Sequence, residues 1–124
     1  MAILRHETPD GAAHFDLLVA ETPRVPDDAR VVPTWRCDRD PLALGKDQRA
    51  RIEPIAPHRG FYLRLDRAHE LSDARGWVHP VRRGWHATVD ATTHILCDDD
   101  GHRVHVRFER GELVVLDADQ VKAS

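Results

Sequence analysis

Residues 85–116 read WHATVDATTHILCDDDGHRVHVRFERGELVVL, and this stretch decides the fold. Within it Val104, Val106 and Phe108 alternate with His105, Arg107 and Glu109. A period of two sends successive side chains to opposite faces of a strand, so one face is apolar and the other polar. The run Asp98-Asp99-Asp100-Gly101 and the pair Arg110-Gly111 interrupt the pattern with glycines, which suit the positive φ of tight hairpins. Strands joined in this way make an antiparallel meander. Short β-rich runs recur along the whole chain, at 2–6, 14–20, 31–37, 51–55, 60–65, 75–81, 85–90, 92–97, 102–109 and 112–116, with further turn signals at Asp10-Gly11 and Arg83-Gly84. The exception is residues 41–46, PLALGK, where Asp40 can cap a short helical turn that Gly45 ends. Pro23, Pro26 and Pro33 mark a loop and an edge strand ahead of Trp35. The expected fold is a single all-β domain spanning residues 1–124. Its expected form is a small closed or partly open β-barrel of about eight mostly antiparallel strands with one or two short helices, since closure limits exposed edges.

Composition bounds the function classes. With 41% hydrophobic and 31% charged residues the chain has the make-up of a soluble globular protein. No apolar stretch reaches the roughly 18 residues that cross a bilayer, and residues 1–6, MAILRH, lack the apolar centre of a signal peptide. A cytoplasmic protein without a membrane partner is expected. Cys37 and Cys97 permit at most one bridge and no thiolate zinc site. Nine histidines, against one Met and one Tyr, are the anomaly, because imidazoles serve both metal and acid-base sites. A net charge of -3 argues against general coating of nucleic acid. Yet residues 46–67 hold six basic side chains (Lys46, Arg49, Arg51, Arg59, Arg64, Arg67) against Asp47, Glu53 and Asp66, a distribution suited to local phosphate recognition.

The chain has no phosphate-binding glycine loop, dinucleotide fingerprint, Gly-x-Ser-x-Gly elbow or His-Glu-x-x-His helix, and covalent catalysis by Ser or Cys is not expected. The informative motif is His14-Phe15-Asp16. On a strand His14 and Asp16 share a face while Phe15 turns away, which sets an imidazole beside a carboxylate as half of a mixed nitrogen and oxygen site for a divalent metal. His6 completes a two-histidine, one-carboxylate group if residues 2–6 and 14–20 pair as a hairpin. A second cluster runs from His58 to Arg64 behind the rigid Pro57. Here His58 can donate a proton, Tyr62 a hydrogen bond and Arg64 a guanidinium fork to phosphate, with Tyr62 and Arg64 on one expected strand face. His69, His79, His86, His94, His102 and His105 read as turn or strand-face residues without a ligand role. Trp35, Trp77 and Trp85 read as core or rim packing.

Taken in order, His6, His14-Phe15-Asp16, Thr34-Trp35, His58 with Tyr62 four positions on, and Arg75-Gly76-Trp77-Val78 resemble the 3'-phosphoesterase domain of bacterial DNA ligase D, which also occurs as small stand-alone proteins. The likeness spans roughly residues 3–115. It implies a β-barrel whose cavity holds a divalent cation, manganese foremost, with zinc or cobalt as alternatives. The implied activity is removal of a 3'-phosphate or 3'-ribonucleoside from DNA or RNA-DNA strand ends in DNA repair, alongside separate ligase or polymerase proteins. His6, His14 and Asp16 would bind the metal, while His58 and Tyr62 would contact the scissile phosphate or assist the transition state. Family members carry Arg two residues after the aspartate; here that position is Leu18, and Arg64 is the expected replacement. The interval from His6 to His14 is also longer than in the ligase domains. Two other readings stand beside this one: a non-catalytic barrel that binds nucleic-acid ends or proteins, and a metal-dependent hydrolase of a small phosphorylated metabolite.

Overall fold

The computed structural model describes residues 1–22 and 24–120; Pro23 and residues 121–124, among them Lys122, lie outside the described residues. Nine strands are present among the described residues: β1 Ala2–Glu7, β2 Ala13–Leu18, β3 Arg30–Cys37, β4 Arg49–Arg59, β5 His69–Glu70, β6 Trp77–Thr88, β7 Thr93–Asp98, β8 His102–Glu109 and β9 Glu112–Gln120. The described chain is 57% strand and 7% helix, with every strand pair antiparallel. Strand order is β1-β2-β3-β4-β9-β8-β7-β6-β5, and an added β1–β6 pairing closes the sheet into a ring, with the two-residue β5 on the other side of β6. The all-β expectation and the meander β7-β8-β9 are therefore both observed. The described residues contain no helix long and apolar enough to cross a membrane.

The short helix at residues 41–46 takes the form of a 3-10 turn, Pro41–Ala43, whose first free amide, Leu42 N–H, donates to Asp40 Oδ1 at 3.0 Å. Two expectations need correction. The run 60–65 is not a strand: Gly60–Arg64 is a second 3-10 helix. Its amides are used by the loop ahead of β3, with Gly60 N–H donating to the Ala29 carbonyl and Phe61 N–H to that of Asp27. A Cβ on Gly60 would stand 2.3 Å from the Pro26 carbonyl oxygen, so only glycine lets the loop seat there. Arg83-Gly84 is not a hairpin turn either, and the two runs around it form the single strand β6. At Gly84 this strand changes partner from β1 to β7, and a Cβ would meet the Cys97 carbonyl oxygen at 1.9 Å. The Met1 amino group and carbonyl both bond to Gly84 there, each at 3.0 Å, which seals the ring.

Two apolar clusters form, and strand alternation explains both. One draws Ile3, Leu17, Leu96, Val104, Leu113 and Val115 from strands all around the ring, so it fills the interior. The other joins Ala2, Leu4, Leu18, Val32 and Val78 to Leu63, and lies on the outer side of the wall built from β1, β2 and β3. The register requires this: Ile3 faces Leu17 on the inner side, while Ala2 faces Leu18 on the outer. Ala20, Val25 and Ala29 from the loop ahead of β3, and Leu63, Leu65 and Leu71 from the segment after β4, pack as a roof over part of this outer face and leave a cavity beside it. Cys37 and Cys97 are both buried and free, and burial pushes the Cys37 thiol up to about 12, so it stays protonated. Trp35 packs inward against Phe108 at 5.4 Å between ring centres, whereas Trp77 and Trp85, 44% and 50% exposed, are not core residues.

Candidate metal centre

β1 and β2 form the expected hairpin, and its register makes His6 and His14 direct cross-strand partners. His14 and Asp16 project from the same face of β2, the outer one, while Phe15 packs against the inner cluster. His6 Nδ1 lies 3.2 Å from His14 Nε2, which lies 3.3 Å from Asp16 Oδ1. One ligand atom from each of the three residues falls within 4.8 Å of the others, so the group could hold a metal ion. The group does not sit inside the ring, whose interior is packed with aliphatic side chains, but on the outer face of its wall.

The donor set can be tested by asking where each proton goes. His6 Nε2 lies 2.9 Å from the Arg75 carbonyl, which can only accept, so Nε2 carries the proton and a neutral His6 presents a lone pair at Nδ1. Asp16 is only 2% exposed and its Oδ1 has no hydrogen-bond donor. An imidazole lone pair and a carboxylate oxygen thus converge on His14 Nε2. A proton on that nitrogen can serve only one of them well at a time, whereas a cation among the three would engage all three ligand atoms. Burial is the largest influence on His14 and lowers its basicity; Asp16 opposes this, and Arg36 and His6 reinforce it. The net result favours neutral imidazole, the form that ligates metal. The Arg75 carbonyl orients His6 as an outer-sphere partner orients a metal-bound histidine. These residues fit a divalent cation that accepts mixed nitrogen and oxygen ligands.

His58, at the far end of β4, approaches the same carboxylate from the other side, with Nε2 3.4 Å from Asp16 Oδ2. Its Nδ1 lies 3.2 Å from the Ala56 carbonyl and so carries a proton. A neutral His58 would therefore turn a lone pair toward Asp16, and the geometry is satisfied by a second proton on Nε2 or by a cation beside the carboxylate. The Tyr62 ring stands edge-on to His58 at 5.6 Å between centres. His6, Asp16, His58 and Tyr62 line one cavity of about 890 Å³.

No family model, curated protein or solved structure matches this chain. The site therefore has to be read from its own geometry. Five of the six residues singled out from sequence, His6, His14, Asp16, His58 and Tyr62, come together on this face. Arg64 does not join them. Its side chain donates to Asp27 at 2.9 Å and to the Val25 carbonyl at 2.6 Å, because the 3-10 helix breaks the strand alternation that was to align it with Tyr62. Leu18 is fully buried in the outer apolar cluster, which leaves no space for a guanidinium at that position. Positive charge reaches the cavity instead through Arg30, Arg36, Arg59 and Arg75. Only Arg59 of these belongs to the basic stretch 46–67. Others of that stretch are engaged elsewhere: Arg49 with Glu109 and Glu112, and Arg67 with Asp66. His69, read from sequence as bland, also lines the cavity and packs on Phe61 at 5.1 Å. No local signal marks these residues, since strand register and the roof bring them in from distant parts of the chain.

Proposed function

We propose that this chain is a divalent-metal-dependent phosphoesterase that removes a 3'-phosphate or a 3'-ribonucleoside from the ends of DNA or RNA-DNA strands, in keeping with its resemblance to the ligase D domain. The observation that carries the reading is one buried carboxylate, Asp16, shared between a two-histidine metal group and a third histidine that opens on the same cavity. His6, His14 and Asp16 would hold the cation, with manganese as the preferred metal. Such a cation supplies positive charge to phosphoryl oxygens and lowers the pKa of water. His58, kept in one orientation by the Ala56 carbonyl, turns Nε2 toward Asp16 and the cavity, where a proton on that nitrogen would pass to the leaving oxygen. Tyr62 Oη donates a hydrogen bond to the phosphate, and Arg36 and Arg75 add positive charge to the same cavity. The partner is then a nucleic-acid 3' end, delivered in repair together with a separate ligase or polymerase.

The test uses two primers, one ending in a 3'-phosphate and one in a single ribonucleotide, each incubated with manganese and purified protein. Wild type is expected to release inorganic phosphate or the terminal nucleoside. His58→Ala should lower kcat by about 10²- to 10³-fold while metal content stays unchanged, and His14→Ala should lose the metal. A wild-type protein that binds manganese at this group yet turns over neither primer rules the activity out.

A further inference from the structure

We propose that Arg30 and Arg59 form a second phosphate-binding subsite in this cavity, on the wall made by β3 and β4, which takes the phosphate adjacent to the one that reacts; the inference rests on the phosphoesterase reading for the identity of the reacting group. The starting point is register. Arg30 and Arg59 are direct cross-strand partners, and both line the cavity that His6, Asp16 and His58 open onto. Two like charges opposite each other on neighbouring strands repel, and folded proteins ordinarily separate them or set a carboxylate between them. The cross-strand pair Glu109 and Glu112 keeps that rule, with Arg49 set between the two carboxylates at 3.9 and 3.8 Å. Among the described residues, neither Arg30 nor Arg59 has a carboxylate within ion-pair distance or a hydrogen-bond acceptor for its guanidinium.

Arg59 is nevertheless held in place. Its guanidinium carbon lies 5.5 Å from the Phe61 ring centre and 5.4 Å from that of Tyr62, so cation-π contact fixes the group. That contact consumes none of its N–H donors. The pair thus offers two guanidinium forks, one of them braced, with donors unpaired; the acidic residues of the cavity, Glu70 and Asp73, do not reach ion-pair distance of either. An anion with several oxygens set tetrahedrally satisfies both forks at once, and phosphate is the matching group. A substrate with two phosphates one nucleotide apart therefore engages the whole site, whereas a lone phosphomonoester engages only the metal side. The second phosphate can be an internucleotide diester of a strand or the other phosphate of a nucleoside bisphosphate.

Binding without turnover separates this inference from the activity. In EDTA, a 5'-fluorescein DNA 12-mer with a 3'-phosphate is titrated with protein at several salt concentrations and followed by anisotropy. The Arg30→Gln/Arg59→Gln double variant is expected to bind about 10-fold more weakly, and its slope of log K against log salt should fall by about 0.7, the value for one phosphate contact on a single strand. Arg67→Gln, a charge removed outside the cavity, should bind as wild type does. The double variant should melt about 2 °C higher than wild type, because repulsion is removed, whereas loss of a structural contact would lower its Tm. Thymidine 3',5'-bisphosphate should displace the 12-mer from wild type more effectively than thymidine 3'-monophosphate, and the two should be equal on the double variant. Equal binding of the 12-mer by wild type and double variant, an unchanged salt slope, or no advantage of the bisphosphate overturns the subsite. Phosphate release with manganese is scored separately. A wild type that does not turn over, but whose binding depends on Arg30 and Arg59, loses the activity and keeps the subsite; turnover with binding indifferent to both arginines does the reverse.

Discussion

On β2, Phe15 and Leu17 turn into the ring while His14, Asp16 and Leu18 turn out from it, yet Leu17 and Leu18 are equally closed to water. The inner face of β2 is apolar and leaves nothing unsatisfied, although farther round the ring His94, stacked on Phe108 at 4.9 Å, keeps an unpartnered Nδ1. The outer face combines the same burial with an orphaned Asp16 oxygen, three imidazoles and, across the cavity, two unpaired arginines. Two buried carboxylates make the contrast sharper. Asp98, 5% exposed, receives Arg82 at 2.7 Å and the amides of Asp100 and His102 at 3.0 and 2.9 Å. Asp16, 2% exposed, has only the His14 imidazole at 3.3 Å beside Oδ1, with no hydrogen bond formed. A fully satisfied buried carboxylate is accounted for by the fold alone; the less fully partnered Asp16, which lies in a group that could hold a metal ion, is not.

The contrast can be broken most severely at Leu18→Arg. This change restores the guanidinium found in the resembled family, but it places an unpaired charge in the outer cluster. A loss of about 4 kcal/mol or more is expected from urea unfolding, and a folded, more active variant would mean that the outer face is looser than its packing implies. Next comes Asp98→Asn, which leaves Arg82 with Asp40 alone and should cost about 3 kcal/mol. This change also carries a pH signature. Burial by itself would raise the Asp98 carboxyl, but the Arg82 guanidinium and the His102 amide and ring outweigh it and hold the group below its ordinary 3.8. With the folded value below the unfolded one, the stabilisation is complete above about pH 4 and disappears as pH falls through the folded value. The variant should therefore show a shallower acid limb in a plot of stability against pH. The smallest expected effect on stability is at Asp16→Asn. Removing the orphaned charge should leave the metal-free protein unchanged or raise its stability by up to about 1 kcal/mol, while divalent metal measured by equilibrium dialysis drops at least 10-fold. A large destabilisation there would place Asp16 with Asp98 as a structural group.

Much of the ring was legible because alternation and turn chemistry are local. The runs at 92–97, 102–109 and 112–116 correspond closely to β7, β8 and β9. The metal group was legible for the same reason: His14 and Asp16 share a face by alternation alone, and His6 needs only one hairpin to reach them. What escaped the sequence depends on distant partners. Gly84 looks like a turn residue until the Cys97 carbonyl is seen to occupy the place of its Cβ. The run 60–65 alternates like a strand but gives its amides to the loop at 27–29. Arg30 and Arg59 lie 29 positions apart, and nothing short of the β3–β4 register sets them face to face.

The ring seam has a bearing on the order of events during folding. The Met1–Gly84 bonds join residues 83 positions apart, whereas the His6–His14 contact spans only eight. Closing the longer loop costs more chain entropy and is expected to come later. The hairpin that carries the metal ligands can therefore form early, and His58, Arg30 and Arg59 join it only when β3 and β4 pair. A cation captured by the young hairpin would cross-link the chain before the seam closes, so that a group able to hold metal in the finished protein would act as a temporary staple during its assembly.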